Sequence, residues 1–176
     1  MKLFVTYGDI TAMQVDVVVN AATCGLRGGG GVAGAIHRAA GPGLRAACRQ
    51  IGGCETGGAC VTSGFALPAR WIVHAVGPVW RGGQAGEAEL LASCYARALA
   101  LANDLEARSI AFPAISCGAY GYPVGEACRI AADILTAWIG SLPGEAWLVA
   151  FDDRVRAAWE GLIGRGAVRP PPSARS

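Results

Sequence analysis

Four consecutive glycines, Gly28 to Gly31, separate an apolar stretch from an alanine-rich one in Leu26-Arg27-Gly28-Gly29-Gly30-Gly31-Val32-Ala33-Gly34-Ala35-Ile36-His37. Glycine inside regular structure costs about 0.5–1 kcal/mol per residue relative to alanine, so a run of four constrains the chain to a turn with a purpose. Without Cβ atoms the backbone can come within hydrogen-bonding distance of a bulky ligand and turn several N–H groups the same way. A helix starting there adds its positive end, and the combination suits an anion, phosphate above all. Close packing of two elements would explain a single glycine; four in a row favour a ligand.

The chain has 176 residues, 53% hydrophobic and 16% charged, which fits one core-rich domain and not a disordered chain. A chain of this length buries roughly 68–70% of its unfolded surface and needs no staple. The net charge of +2 is too small for bulk attraction to nucleic acid, so phosphate recognition must be local. Seven cysteines form no CxxC pair, and an odd, scattered set argues against a disulfide framework. The spacing of Cys48, Cys54 and Cys60 is not that of a zinc site, so neither metal nor cofactor is expected. Apolar runs are cut short of membrane-spanning length, and Met1-Lys2-Leu3 leads into a strand and not a signal peptide. The expected location is the cytoplasm.

Taken in order, Leu3–Tyr7 and Asp16–Asn20 read as strands, the second buried on both faces because its valines are unbroken. Residues 32–51 are helical in pattern but interrupted at Gly41-Pro42-Gly43, which predicts two short helices. Gly58–Phe65 and Trp71–Val76 read as strands joined at Leu67-Pro68-Ala69. Two amphipathic helices follow, one through Leu91, Cys94, Tyr95, Ala98 and Ala102, the other through Val124, Ala127, Cys128, Ala131, Ile134, Leu135 and Trp138. Between them Ser109–Ile115 is strand-like and empties into a second small-residue loop, Ser116 to Pro123. The last strand is Ala146–Phe151, and Asp152 or Asp153 can cap a final helix ending at Gly164. The domain is expected over residues 1–165, followed by a flexible tail at 166–176 containing Pro170-Pro171-Pro172 and arginine. Alternating strands and helices predict an α/β sheet covered on both faces, with ligands beyond the strand C-terminal ends. Both small-residue loops emerge there and are expected to wall one cleft.

These pieces resemble the macrodomain family, in particular its MacroD-type and O-acetyl-ADP-ribose deacetylase-like branch. The resemblance is carried by Gly8-Asp9-Ile10-Thr11, Val19-Asn20-Ala21-Ala22, Gly28 to Val32, Gly34 to Gly41, His74-Ala75-Val76-Gly77-Pro78, Ala114 to Gly118 and Gly121-Tyr122-Pro123, in family order. It implies a three-layer α/β/α fold, a mixed, mostly parallel central sheet flanked by helices, with ADP-ribose in the cleft. Under the resemblance, Asp9 accepts the exocyclic N–H of adenine and Ile10 donates its backbone N–H. Phe151 gives adenine an apolar face. Gly30, Gly31 and Val32 on one loop, and Ser116, Gly118, Ala119 and Tyr120 on the other, donate N–H groups to the diphosphate. Tyr120 also covers the distal ribose, and Asn20 orders the glycine loop through its amide.

The family's second Asn, three residues after Asn20, and its Asp, after the valine that follows the glycines, are here Thr23 and Ala33. Those positions hold the distal ribose and orient or deprotonate the attacking water, so Thr23, Ala33 and Tyr120 are the catalytic positions, two of them departing from the pattern. The resemblance implies ADP-ribose and ADP-ribosylated protein or O-acetyl-ADP-ribose as partners, with nucleic acid only as ADP-ribosylated ends. Ester hydrolysis weakened by the two departures is the expected activity, and a non-catalytic ADP-ribose reader is the alternative. His37 is expected to brace the glycine loop by hydrogen bonding, His74 to be a satisfied core residue, and Cys117 to lack a paired base. Trp71, Trp138, Trp147 and Trp159 are expected in the core and Trp80 at the surface. Gly29, Gly31 and Gly34 also satisfy the dinucleotide pattern GxGxxG, but Glu55, near the required spacing, falls in a loop and not at a strand end. A P-loop is excluded because no Gly-Lys-Ser/Thr follows the glycines.

Overall fold

The computed structural model of the chain describes residues 1–172. The valine-rich and alternating stretches form β1 (Lys2–Tyr7), β2 (Val17–Ala22), β3 (Ala59–Ser63), β4 (Trp71–Val76), β5 (Ser109–Phe112) and β6 (Glu145–Ala150). The helices are α1 (Gly31–Ala40), α2 (Pro42–Ile51), α3 (Glu87–Asp104), α4 (Val124–Thr136) and α5 (Asp153–Ile163). The strands make one sheet in the order β1-β6-β5-β2-β4-β3, parallel throughout except for β3, which runs antiparallel to β4 at one edge.

Side-chain alternation sorts two cores onto the two faces of this sheet. Val17, Val19, Val73, Ile110, Phe112 and Leu148 face one way and pack under α3, α4 and α5, with Trp159 and Tyr95 fully buried among them. Val18, Ala22, Ile72, Val76, Ala111 and Val149 face the other way, under Ile36 of α1 and Leu44 of α2. The chain therefore has the three-layer α/β/α architecture and mixed, mostly parallel sheet expected of it. No helix among the described residues is long and apolar enough to cross a membrane.

Local chemistry sets the boundaries. Gly41, with φ +82°, ends α1, and Pro42, which has no N–H to lose, opens α2. The Asp152 carboxylate accepts from the N–H of Val155 at 2.9 Å and caps α5. The strand expected to reach Ile115 stops at Phe112, because Pro113 cannot donate to a sheet ladder. Trp138 lies beyond the end of α4, and its indole N–H donates to Leu142 O at 3.0 Å. Trp147 and Trp159 are buried whereas Trp71 and Trp138 are half-buried, and Trp80, expected at the surface, is half-buried with its ring 4.6 Å from that of Tyr122. Arg165–Ala167, across the expected boundary between domain and tail, form a 3-10 turn; within the expected tail Val168 makes a parallel bridge to Val5, and the N–H of Arg169 donates to Val5 O at 3.0 Å. Residues 173–176 lie outside the described residues.

Candidate functional site

Five parallel strands release the chain at the same edge of the sheet, and the residues singled out for the cleft lie in the loops leaving it or at the start of α1, apart from Asn20, which lies within β2. In spatial order the exits are Gly8-Asp9 after β1, Phe151-Asp152 after β6, the 113–123 loop after β5 and the 23–30 loop after β2. Because β5 and β2 are hydrogen-bonded neighbours, the two small-residue loops leave the sheet side by side.

The β2–α1 loop is held by few internal bonds. The N–H of Leu26 donates to Thr23 O at 2.9 Å, and that of Gly34 to Gly30 O at 3.1 Å. Gly30 stands at the N-cap of α1 with no side-chain cap, so the N–H groups of Gly31, Val32 and Ala33 begin a helix without partners in it. Gly34 sits one turn into α1, directly against the loop: a Cβ there would lie 2.1 Å from Gly29 O. Only a glycine lets the helix come this close to the run preceding it.

Two expectations for this loop are corrected. Asn20 does not hold the glycines; it is buried, and its Nδ2 donates to His74 Nδ1 at 3.0 Å. The side chain projects from the strand itself toward β4, and its Oδ1 has no partner among the described residues. His37 forms no hydrogen bond through either ring nitrogen among the described residues. It braces the loop by packing, since a Cβ on Gly28 would lie 3.0 Å from its Cγ. Burial, and after it the charge of Arg45, lower its pKa, so His37 is a neutral wedge under the loop.

The β5–α4 loop is tied more firmly. Cys117 N–H donates to Ala114 O, Gly121 N–H to Gly118 O and Tyr122 N–H to Ser116 O, at 3.3, 2.9 and 3.0 Å. The N–H groups of Ser116, Gly118, Ala119 and Tyr120 donate to no acceptor among the described residues. Ser116 adopts φ +66°, and its hydroxyl leans on Gly77, where a Cβ would stand 2.2 Å from Oγ. Trp80 N–H donates to Tyr120 O at 2.9 Å, joining this loop to the 77–86 segment.

The remaining cleft residues flank these loops. Asp9 Oδ1 accepts from both the N–H and the hydroxyl of Thr11 at 2.8 Å, making Asp9 the cap of the short turn Ile10–Ala12. Its Oδ2 has no partner among the described residues, and neither has the N–H of the buried Ile10. Phe151 is 78% exposed at the end of β6, so its ring is open to a planar ligand. Thr23 is exposed, while Ala33 is buried and offers only a methyl group. Burial first, and the thiol of Cys24 second, raise the Tyr120 pKa, which keeps the phenol neutral at pH 7. Burial pushes the Cys117 thiol up to about 11, which makes it a poor nucleophile.

Two residues that support the candidate site are missed from sequence: Tyr95 reads only as a helix position and Glu87 is not singled out. Tyr95, fully buried on α3, donates its hydroxyl to Pro113 O at 3.3 Å and accepts from Ile115 N–H at 3.2 Å, fixing the start of the β5–α4 loop. Glu87, buried in the first turn of α3, accepts from the N–H groups of Arg81, Gly83 and Ala85. Burial alone would raise its pKa, but these N–H donors outweigh it and hold the carboxyl below its usual value. The signal for Tyr95 was a polar atom on an otherwise apolar helix stripe, and for Glu87 an acid just after a loop rich in glycine.

A mostly parallel sheet with two loops on adjacent strands, each carrying unengaged backbone N–H groups, defines an α/β domain with its donors gathered at one sheet edge. The family model of the Macro domain matches residues 19–131, and the chain belongs to that family. It is 62% identical over 160 residues to a macro domain-containing protein of Chlorobaculum tepidum, covering 90% of this chain and 93% of that one. It is 48% identical over 170 residues to an O-acetyl-ADP-ribose deacetylase of Salmonella newport, covering 92% of this chain and 94% of the relative. A crystal structure of a Trypanosoma brucei macrodomain in complex with ADP-ribose superposes with a TM-score of 0.83 at 39% identity, covering 92% of this chain and 69% of that one.

Proposed function

We propose that the chain binds ADP-ribose in the cleft at the C-terminal sheet edge and hydrolyses mono-ADP-ribosyl esters, on protein carboxylates or in O-acetyl-ADP-ribose. The observation that carries this reading is the pair of loops on β5 and β2, with unengaged N–H groups at Gly31 and Val32 on one and at Ser116, Gly118, Ala119 and Tyr120 on the other. A diphosphate between them accepts from both, and hydrogen bonds to charged groups are worth about 1.5–3 kcal/mol each. The free Oδ2 of Asp9 accepts the exocyclic N–H of adenine, Ile10 N–H donates beside it, and the ring stacks on Phe151. The distal ribose lies toward Thr23 and Tyr120. The relative and the structural neighbour described above support this choice of ligand.

In the reaction, water adds across the ester bond and releases ADP-ribose and the free acid. The methyl of Ala33 cannot take the proton of that water, and Tyr120, neutral and with a raised pKa, is not a base at pH 7. The bound phosphate and loop carbonyls then orient the water, leaving positioning and electrostatic stabilisation to carry the rate. General-base help is worth about 10²- to 10⁴-fold, so turnover is slow. The same two residues, Thr23 and Ala33, favour a second reading in which the chain is a reader of ADP-ribose without turnover.

The test is a time course of ADP-ribose release from glutamate-linked ADP-ribosyl protein and from O-acetyl-ADP-ribose. Wild type is expected to turn over slowly and Gly31→Glu, which fills the phosphate seat, not at all; equal rates in the two would remove this cleft as the source. The double variant Thr23→Asn/Ala33→Asp is expected to be faster by about 10²-fold or more. Binding by calorimetry with no release from wild type would leave the reader function.

A further inference from the structure

Residues 17–54, which span β2, α1 and α2, contain four arginines, Arg27, Arg38, Arg45 and Arg49, and no aspartate or glutamate. Three of the four come together. Arg27 on the β2–α1 loop and Arg45 and Arg49 on α2 line a hollow of about 300 Å³ between Gly25–Arg27 and the C-terminal half of α2. No residue assigned to the ADP-ribose cleft lines it.

The three guanidinium groups are uncompensated. All three residues are exposed, and none is ion-paired or side-chain hydrogen-bonded to another described residue. Arg45 and Arg49 lie one helical turn apart on α2, a spacing at which like charges repel and destabilise a helix. The charge of Arg45 is also felt at the buried His37, where it lowers the pKa in addition to burial.

We propose that Arg27, Arg45 and Arg49 form a second anion site, separate from the cleft, that takes the dianion of a phosphate monoester or of free phosphate. A guanidinium donates two parallel N–H groups to one oxyanion edge, and three of them around one hollow match a doubly charged, three-oxygen group better than a single carboxylate. The three residues border one hollow from two elements, the β2–α1 loop and α2, and are not strung along a single helix face, which suits a compact ion and not the spaced charges of a diester backbone. The site does not depend on the function proposed for the cleft.

The experiment is an amide NMR titration of the full chain at pH 7 with inorganic phosphate and with glycerol 3-phosphate, on wild type and on Gly31→Glu. Saturating shifts are expected at Gly25–Arg27 and Arg45–Gly52 in both proteins, and at least about tenfold weaker binding in Arg45→Ala/Arg49→Ala. Arg45→Gln/Arg49→Gln gives the same comparison should the alanine variant melt early. Glycerol 3-phosphate binding as well as phosphate assigns a monoester; phosphate alone binding assigns the free ion. Shifts that fail to saturate at millimolar concentration, or that survive loss of both arginines, overturn the proposal. So does tighter binding at these amides by hexaglutamate or by an unphosphorylated oligonucleotide, which would assign an acidic peptide or a nucleic-acid backbone instead.

Discussion

Single atoms decide the shape of the two loops. Gly34→Ala would place a methyl carbon 2.1 Å from Gly29 O, a backbone atom that cannot rotate away, so the glycine run must move. The expected result is at least about a tenfold loss of ADP-ribose affinity by calorimetry, because amide donors placed even slightly wrong no longer converge. Tyr95→Phe removes one oxygen and strands both Ile115 N–H and Pro113 O in the core. An unsatisfied buried group costs about 1–3 kcal/mol, and for a domain of this size each kcal/mol lowers Tm by roughly 2–4 °C. A Tyr95→Phe chain that melts with wild type and binds ADP-ribose equally would show that the hydroxyl does not hold the loop.

At the scale of elements, three strands on the α1–α2 side are stapled by one buried polar chain. Asn20 of β2 donates to His74 Nδ1 of β4, so Nε2 carries the proton toward Thr62 Oγ1 of β3 at 2.9 Å, and Thr62 passes its own to Ser63 O at 3.1 Å. His74 is thus the satisfied core histidine that its apolar strand implied. Burial, with His37 beside it as a smaller cause, takes its pKa down to about 4. The unfolded chain binds that proton near pH 6.5 and the folded chain refuses it until about pH 4, so stability falls as pH drops through this window. At pH 4.5 the loss from this residue is about 2–3 kcal/mol, and His74→Gln is expected to remove that share of the pH dependence in urea titrations. The cap at Asp152 acts on a smaller scale: Asp152→Ala is expected to cost about 0.5–2 kcal/mol. Strand and helix order were legible because hydrophobic period and Gly-Pro punctuation are local properties. The partners of Asn20 and His37 were not, because side chains on neighbouring strands or beneath a loop meet only after the sheet assembles. The two small-residue runs around Gly30–Val32 and Ser116–Tyr120 were visible in the chain because a backbone that must approach a neighbour closely needs small side chains, while the roles proposed for these residues and for Asp9 came from the family resemblance. Tyr95 acts on a loop eighteen and twenty residues further along, and Glu87 on the loop just before its own helix, and neither contact has a small-residue pattern to mark it.

For the whole molecule, ligand binding is a stability measurement. Under the proposed function, ADP-ribose at 100 times its Kd stabilises the folded state by about 2.7 kcal/mol, which raises Tm by roughly 5–11 °C in wild type. Gly31→Glu is expected to melt at the same temperature with and without it. The parallel run of β1, β6, β5, β2 and β4 explains why one edge of the sheet gathers the proposed cleft: strands that point the same way deliver the loops that follow them to one end. The opposite requirement falls on the flanks, where β1 has β6 on one side only. There Val168 and Arg169 lie along the outer side of β1 and use the carbonyl of Val5. A chain truncated after Gly164 would uncover an unpaired strand whose free amides and carbonyls are a template for another copy, and light scattering should register self-association that the intact chain resists.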